Sequence, residues 1–334
     1  MEKPWRNTIA ADMPVDHNWP LARELSDLIG EDFRIETLDG RAHVARTRRI
    51  VNYFRMGLRL FRHRKQTRLL VSWQQFFGVV FAWLCNLFRV NKTTTVVVMT
   101  FIYRSKHGLP GRIYHRWIRG VLHSGYVDRV IVYSRFEVEH YSRLFQVDKP
   151  LFVYAPLTTP TPPQLDTTER GYIFSTGSSN RDYDLLIGAL AHTRHRLVIA
   201  CHSLPQPEAK NIRVLHNTFN SDMLAHMAGA DIVVVTLSDP NISSGQLVVL
   251  QAMSLGKPVI VTRSRGLEDY VADNVTGIVV DSDPSQLLQA VDTLQSDLHL
   301  RRRMGQAARE AYERNHTPRH LARAVAEVLT KQTE

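Results

Sequence analysis

The chain has 334 residues, 22% charged and 44% hydrophobic, with 17 Gly and 15 Pro, which excludes disordered, collagenous and coiled-coil proteins and suits one large globular body or two domains. The net charge of +10 sits in the first half: residues 1–150 hold 25 basic and 13 acidic side chains, the remainder 17 and 19. Cys85 and Cys201 are the only cysteines and cannot form a CxxC redox or zinc unit, so a reducing compartment is expected.

The opening MEKPWRNTIAADMP lacks the basic stub, apolar core and cleavage site of a secretory signal, and a cytoplasmic location is the expectation. Residues 8–11 read as a weak strand, 19–29 as a helix and 33–37 as a strand. Next comes a basic amphipathic helix over residues 50–64. Ile50, Tyr53, Phe54, Leu58 and Phe61 recur at helical spacing, with Arg55, Arg59, Arg62 and Arg64 between them. No acidic residue falls between Asp39 and Asp128, while 17 Lys/Arg do. Such a one-sign field attracts a polyanion: an anionic lipid surface, a phosphorylated acceptor or, less consistent with the absence of any helix-turn-helix, zinc-finger or RNP-like pattern, nucleic acid. The helix therefore reads either as lying on the inner face of the plasma membrane or as a surface helix packed on its own domain.

Residues 69–88 carry no charge for 20 positions. Ser72, Gln74 and Gln75 interrupt the run, leaving too short an apolar stretch to span a bilayer, so it parses as strand, polar turn and core helix. Residues 94–101, 129–133 and 151–155 follow as strands with helices between them, the alternation of a parallel sheet covered on both faces. The Pro/Thr-rich stretch PLTTPTPPQLDTTERG reads as a linker, dividing the chain into domains 1–157 and 158–334. The second domain repeats the pattern. Strands are expected at 172–176, 196–200, 212–215, 231–235, 258–262 and 277–280, and helices at 183–191, 221–229, 245–255, 267–271, from 284 and from about 300. Ligands of such sheets bind at the carboxyl ends of the strands.

Two loops at such strand ends carry the chemistry. In NISSGQLVVLQAMSLGKPVIVT a polar loop opens a helix, so the backbone N–H groups of Ser244, Gly245 and Gln246 are left to bind an anion such as a diphosphate; ordinary serine capping is the competing reading. In YIFSTGSSNRDYDLL, Gly177, Ser178, Asn180 and Arg181 lie between strand and helix. Arg181 can neutralise a departing phosphate or pair with Asp182 or Asp184.

Residues 172–316, with QAMSLGKPVIVT, RGLEDYVADNVTGIVV and DPSQLLQAVDTL…RRRMGQAARE, resemble the donor domain of group 1 retaining glycosyltransferases of GT-B fold. DRVIVYSRFEVEHYSRLF and PLFVYAP resemble the end of that family's acceptor domain. The resemblance implies an α/β protein of two Rossmann-like domains facing each other across a cleft, a UDP- or GDP-linked sugar held by the second, an acceptor held by the first, and no obligatory metal or other cofactor. It also implies attack on the donor's front face, with the leaving phosphate taking the acceptor proton.

The sequence departs from the family at the family's two glutamates, one near the transferred sugar and one on the nucleotide ribose. Those positions read Ser243 and Gln251. Gln251 can still bond ribose hydroxyls, and Ser243 or Ser244 a sugar hydroxyl. The family's Gly-Arg phosphate loop reads Gly177-Ser178, making Arg181 the replacement cation; with Ser243 and Ser244 it forms the expected catalytic set. His202 and Asn217-Thr218 fall where the fold contacts a nucleotide base. Trp73, Gln74 and Gln75, at a strand end of the first domain, and His107 are the acceptor-side candidates. Asp281 and Asp283 resemble a metal-chelating DxD, but Asp283 before Pro284 fits a helix cap better. The expected function is transfer of a sugar to a lipid-linked or polysaccharide acceptor in cell-surface glycan synthesis. The alternatives are a catalytically silent GT-B subunit that binds nucleotide or partners an active transferase and, behind it, a sugar epimerase whose acid/base carboxylates have no place in the sequence.

Overall fold

The computed structural model describes residues 4–13, 15, 18–38 and 45–330, with the Arg46 side chain also left undescribed. Asp39 and Arg41, at the edge of the basic stretch, lie outside these residues. The chain divides into two compact units, Met1–Ala155 with Pro318–Glu334, and Pro156–Thr317.

The first unit contains β1 (Asn7–Ala11), α1 (Pro20–Ile29), β2 (Arg34–Thr37), α2 (Arg46–Arg62), β3 (Leu69–Ser72), α3 (Gln75–Leu87), β4 (Thr95–Val98), α4 (Gly108–Leu122), β5 (Arg129–Val132), α5 (Arg135–Phe145), β6 (Phe152–Tyr154) and α11 (Pro318–Thr330). Its six strands are all parallel, ordered β2-β1-β3-β4-β5-β6. The side-chain period of two sends Leu70, Val96, Val98, Val130 and Val132 to one face, where they pack with Met56 and Leu60 of α2, Phe77 and Phe81 of α3, Ile118 of α4 and Phe145 of α5. The uncharged run after Arg68 folds as strand, turn and helix, with the Gln74 side chain accepting from the Phe76 amide to cap α3. Among the described residues no helix is long and apolar enough to cross a membrane.

The second unit contains β7 (Ile173–Thr176), α6 (Tyr183–Leu190), β8 (Leu197–Ala200), β9 (Ile212–Leu215), α7 (Asn220–Ala228), β10 (Ile232–Val235), α8 (Gln246–Ser254), β11 (Val259–Thr262), β12 (Gly277–Val280), α9 (Pro284–Ser296) and α10 (Leu298–Asn315). Its sheet is also wholly parallel, ordered β12-β11-β10-β7-β8-β9. Alternation again divides two cores. Phe174, Val233, Val235 and Val261 pack with α8 and with Ala308 and Tyr312 of α10, while Ile173, Ile199, Ile232 and Val234 pack with α6 and α9.

Two sequence expectations are corrected. The chain does not divide into consecutive halves at 157: α11 belongs to the first unit, where it packs against α1 and buries Leu321, Ala322, Val325 and Leu329. Residues 267–271 form a turn rather than a helix, because the amides of Leu267 and Tyr270 bond three residues back and no periodic run extends them.

Candidate functional site

In the second unit the strand order reverses between β7 and β10: the chain runs from β7 outward through β8 and β9, then returns to β10 and continues through β11 and β12. A ligand site in a doubly wound sheet is expected beyond the carboxyl ends of the strands at such a point. The loops leaving β7 and β10 are the two loops that the sequence singles out, and the structure joins them.

Asn180 makes the join. Its Nδ2 donates to the Asp239 carbonyl and to Ser244 Oγ, each at 2.9 Å, and its Oδ1 accepts from the Asp239 amide at 3.0 Å. The residue sits at φ 55°, in the left-handed region that asparagine tolerates. A backbone bridge between Arg181 and Leu237 and the bond from Ser238 Oγ to the Arg181 carbonyl run alongside. On the other flank, Thr262 Oγ1 accepts from the Leu237 amide and Ser264 Oγ donates to the Pro240 carbonyl. The segment from 236 to 245 is thus fixed on both sides before any ligand arrives.

That fixed loop delivers an open helix end. α6, α9 and α10 are capped by the side chains of Asp182, Asp283 and Asp297, whereas α8 begins after Gly245, at φ 84°, with no side-chain cap. α7 also lacks one. Among the described residues, none of the amides of residues 243–248 has an acceptor, since the first bond of the helix is Val249 to the Gly245 carbonyl. Ser243 Oγ is shut from solvent and has no partner among the described residues. Unpaired amides with a helix dipole behind them favour an anion at this position. Ser244 is occupied as a side chain but not as an amide: its Oγ accepts from Asn180 and donates to the Ile242 carbonyl. Serine capping therefore does not account for this helix start.

Arg181 is half-buried and turned onto its own loop. Its Nε donates to the Thr176 carbonyl and its Nη1 to the Ser179 carbonyl, both at 3.0 Å. Neither Asp182 nor Asp184 pairs with it, because Asp182 is committed to the Leu185 amide. Gly177 makes room: at φ 104°, a Cβ there would meet Arg181 Nη2 at 2.7 Å. Burial draws the guanidinium below its ordinary pKa, but it remains a cation at neutral pH. Nη2 has no acceptor among the described residues. The arginine therefore braces its own loop through the Thr176 and Ser179 carbonyls and keeps one donor free.

The other candidates fall at the same edge of the sheet or serve structural ends. Ser178, His202 and Asn217 are exposed, the latter two just beyond β8 and β9. Gln246 is buried in the first turn of α8, and Gln251 is half-buried with no hydrogen bond from its amide among the described residues. Asp281 pairs with Arg263 at 2.9 Å and Asp283 caps α9 through the Ser285 amide. Among the described residues there is no cluster of three or more His, Cys, Asp or Glu that could hold a metal ion. In the first unit, Gln74 Nε2 donates to Asp12 and Trp73 meets Trp19 edge-on at 5.1 Å. Gln75 uses both ends of its amide on the backbone of Ile102, and His107 precedes α4, exposed and without a capping bond. Both glutamine side chains are thus engaged within the unit.

Sequence reasoning passed over Gly266, although RGLEDY contains it. A Cβ there would lie 2.7 Å from Ser243 Cα, so glycine is what allows the turn after β11 to press against the site. It also passed over Thr236 and Thr262, whose hydroxyls hold the loop; a threonine closing a β-branched strand gives no outward sign of that use.

Residues 171–297 match the family described as Glycosyl transferases group 1. A D-inositol 3-phosphate glycosyltransferase of Corynebacterium efficiens is 38% identical over 102 residues, 30% of this chain and 23% of the relative. The chain thus matches about a quarter of the length of that curated relative. Among solved structures, sucrose-phosphate synthase from Thermosynechococcus elongatus has a TM-score of 0.73 at 17% identity, covering 98% of this chain and 99% of its own. Anabaena HepE in complex with UDP and glucose has a TM-score of 0.68 at 13% identity, over 97% and 99%. The fold is GT-B, as the sequence resemblance implies.

Proposed function

We propose that the chain is a retaining, metal-independent glycosyltransferase that moves a sugar from a UDP- or GDP-linked donor to a lipid-linked or polysaccharide acceptor during cell-surface glycan synthesis, working in the cytoplasm at the inner face of the plasma membrane. The observation that carries it is the open start of α8: unpaired amides at residues 243–248, held beside the Arg181 loop by Asn180 at the point where the strand order reverses. Those donors suit the diphosphate of a nucleotide sugar. As the anomeric bond breaks, negative charge grows on the leaving phosphate, and preorganised amides and the free Nη2 of Arg181 lower the barrier without reorganising. The departing phosphate takes the acceptor proton, so no protein base is required. HepE, bound to UDP and glucose, supports a nucleotide-sugar donor. The basic field of the first unit and the inositol phosphate named for the Corynebacterium relative support an acceptor that carries phosphate.

One observation favours a second reading, that of a nucleotide-binding subunit without turnover. Ser243 and Gln251 occupy the positions of the family's two glutamates, so neither position offers a carboxylate. Titration calorimetry with UDP and GDP, followed by transfer assays with the corresponding sugars and membrane extract, separates the readings. Binding with transfer supports the enzyme, binding without it supports the subunit, and no binding to either nucleotide removes both.

A further inference from the structure

The apolar residues of the first unit do not all face inward. On α2, Met56 and Leu60 are buried, while Ile50, Val51, Phe54 and Leu58 on the other side of the helix are exposed. Leu87 and Phe88 at the end of α3 and Leu109 and Ile113 on α4 are each more than half exposed. Between these helices opens a cavity of about 590 Å³, lined by Ile50, Tyr53, Phe54, Phe76, Val80 and Trp117. Its volume falls within the ~300–1,000 Å³ of small-molecule pockets. Aromatic contacts hold its walls: Tyr53 stacks on Phe76 at 5.0 Å and Phe54 meets Trp83 edge-on at 6.1 Å.

Arg49 and Lys106 also line the cavity, the latter with its ammonium 4.9 Å above the ring of Tyr114. Among the described residues, Arg48, Arg49, Arg55 and Arg62 of α2 have no carboxylate partner, whereas Arg59 is held by Glu36 at 3.0 Å. No acidic residue lies in the sequence from 40 to 127 to balance them. The occupant must therefore bring both negative charge and hydrocarbon. A second copy of this chain would set the same arginines against each other. A lipid supplies both requirements in one molecule.

We propose that the face formed by α2, the end of α3 and the start of α4 docks on an anionic lipid membrane, its arginines at the lipid phosphates and one lipid hydrocarbon chain in the α2–α3–α4 cavity. This deepens the membrane location proposed above. It stands on the first unit alone, so nucleotide binding and sugar transfer can fail or succeed independently of it.

The test is co-sedimentation of the full chain with vesicles of phosphatidylcholine, with and without phosphatidylglycerol. Binding is expected only to the vesicles with phosphatidylglycerol and should weaken as salt rises. Arg55→Ala and Arg62→Ala should each lower partition by roughly fivefold while leaving nucleotide affinity unchanged. For the cavity, phosphatidylglycerol brominated in its acyl chains should quench the fluorescence of a Trp83→Phe protein, and adding Trp117→Phe should remove that quench without abolishing sedimentation. Equal binding to both vesicle types, absence of binding to either, or partition indifferent to both arginines would overturn the docking. Unquenched Trp117 in bound protein would overturn the chain site.

Discussion

If Asn180 is the strut between the two loops, removing its side chain should cost stability in a graded way. Asn180→Gly deletes three hydrogen bonds, two to Asp239 and one to Ser244, while keeping a residue at ease at φ 55°. At about 1 kcal/mol for each bond, discounted because water reaches part of the site, the loss is about 2 kcal/mol. Asn180→Ala deletes the same bonds and forces a Cβ into the left-handed region, which adds ~1 kcal/mol. For a domain of this size each kcal/mol corresponds to ~2–4 °C in Tm, so differential scanning calorimetry should place the transition of the second unit lower by roughly 4–8 °C for glycine and further down for alanine. Freed of Asn180, the segment 238–244 must also order on binding. UDP or GDP affinity should fall about tenfold, the equivalent of ordering one or two mobile side chains. A glycine variant that melts with the parent protein, or an alanine variant more stable than the glycine one, would refute the reasoning.

Ser243→Ala should leave Tm unchanged or slightly raised, because the hydroxyl it removes is buried without a partner; a clear loss of stability would show that Ser243 Oγ is satisfied in the free protein. Its sugar-transfer rate should drop if that hydroxyl waits for the donor. Leu329→Ala, in α11, should destabilise the first unit by about 2–5 kcal/mol as a fully buried leucine is cut back, and calorimetry that shows the second unit melting earlier instead would overturn the assignment of α11. Burial pushes the Cys85 thiol up to about 11 from 9. Because the folded-state value is the raised one, the contribution to stability is complete below pH 9 and is lost as pH rises through about 11. Native protein at pH 8 should leave Cys85 unmodified by a thiol reagent until it unfolds, and prompt labelling would contradict the burial.

The strands were legible because they are β-branched runs with buried neighbours: RVIV, IVVV and VIVT each fall within a residue of the expected positions, while TVVV ends three residues before the expected 101. The open start of α8 was legible for the same kind of local reason, a polar loop with glycine ahead of an apolar run. What the sequence concealed depends on distance along the chain. Leu321, Val325 and Leu329 mark α11 as amphipathic, but nothing in them says that the partner is α1, some 300 residues earlier. In the sequence Arg181 reads as a cation for a phosphate or for Asp182 or Asp184, whereas in the fold it holds the carbonyls of Thr176 and Ser179. Gln74 and Gln75 looked ready for a ligand, yet one donates to Asp12 and the other pins Ile102, uses that depend on chain brought in from elsewhere.

The missing carboxylates lead to one more expectation, which bears on how the donor is held. Gln251 is half-buried on α8 with an unengaged amide, and glutamate has nearly the same shape, so Gln251→Glu alters charge with little change in packing. Two effects then compete at the site. A carboxylate repels the diphosphate, but it accepts from both ribose hydroxyls, and hydrogen bonds to a charged group are worth about 1.5–3 kcal/mol against 0.5–1.5 for neutral ones. If Gln251 faces the ribose, the second effect dominates for UDP and GDP, whose affinity should rise by about five- to tenfold, while inorganic pyrophosphate, which has no ribose, should bind more weakly. The opposite signs are the readout. Equal weakening of nucleotide and pyrophosphate would mean that the residue at 251 senses only charge, and the ribose would have to be held elsewhere along the β8 and β9 ends, near His202 and Asn217.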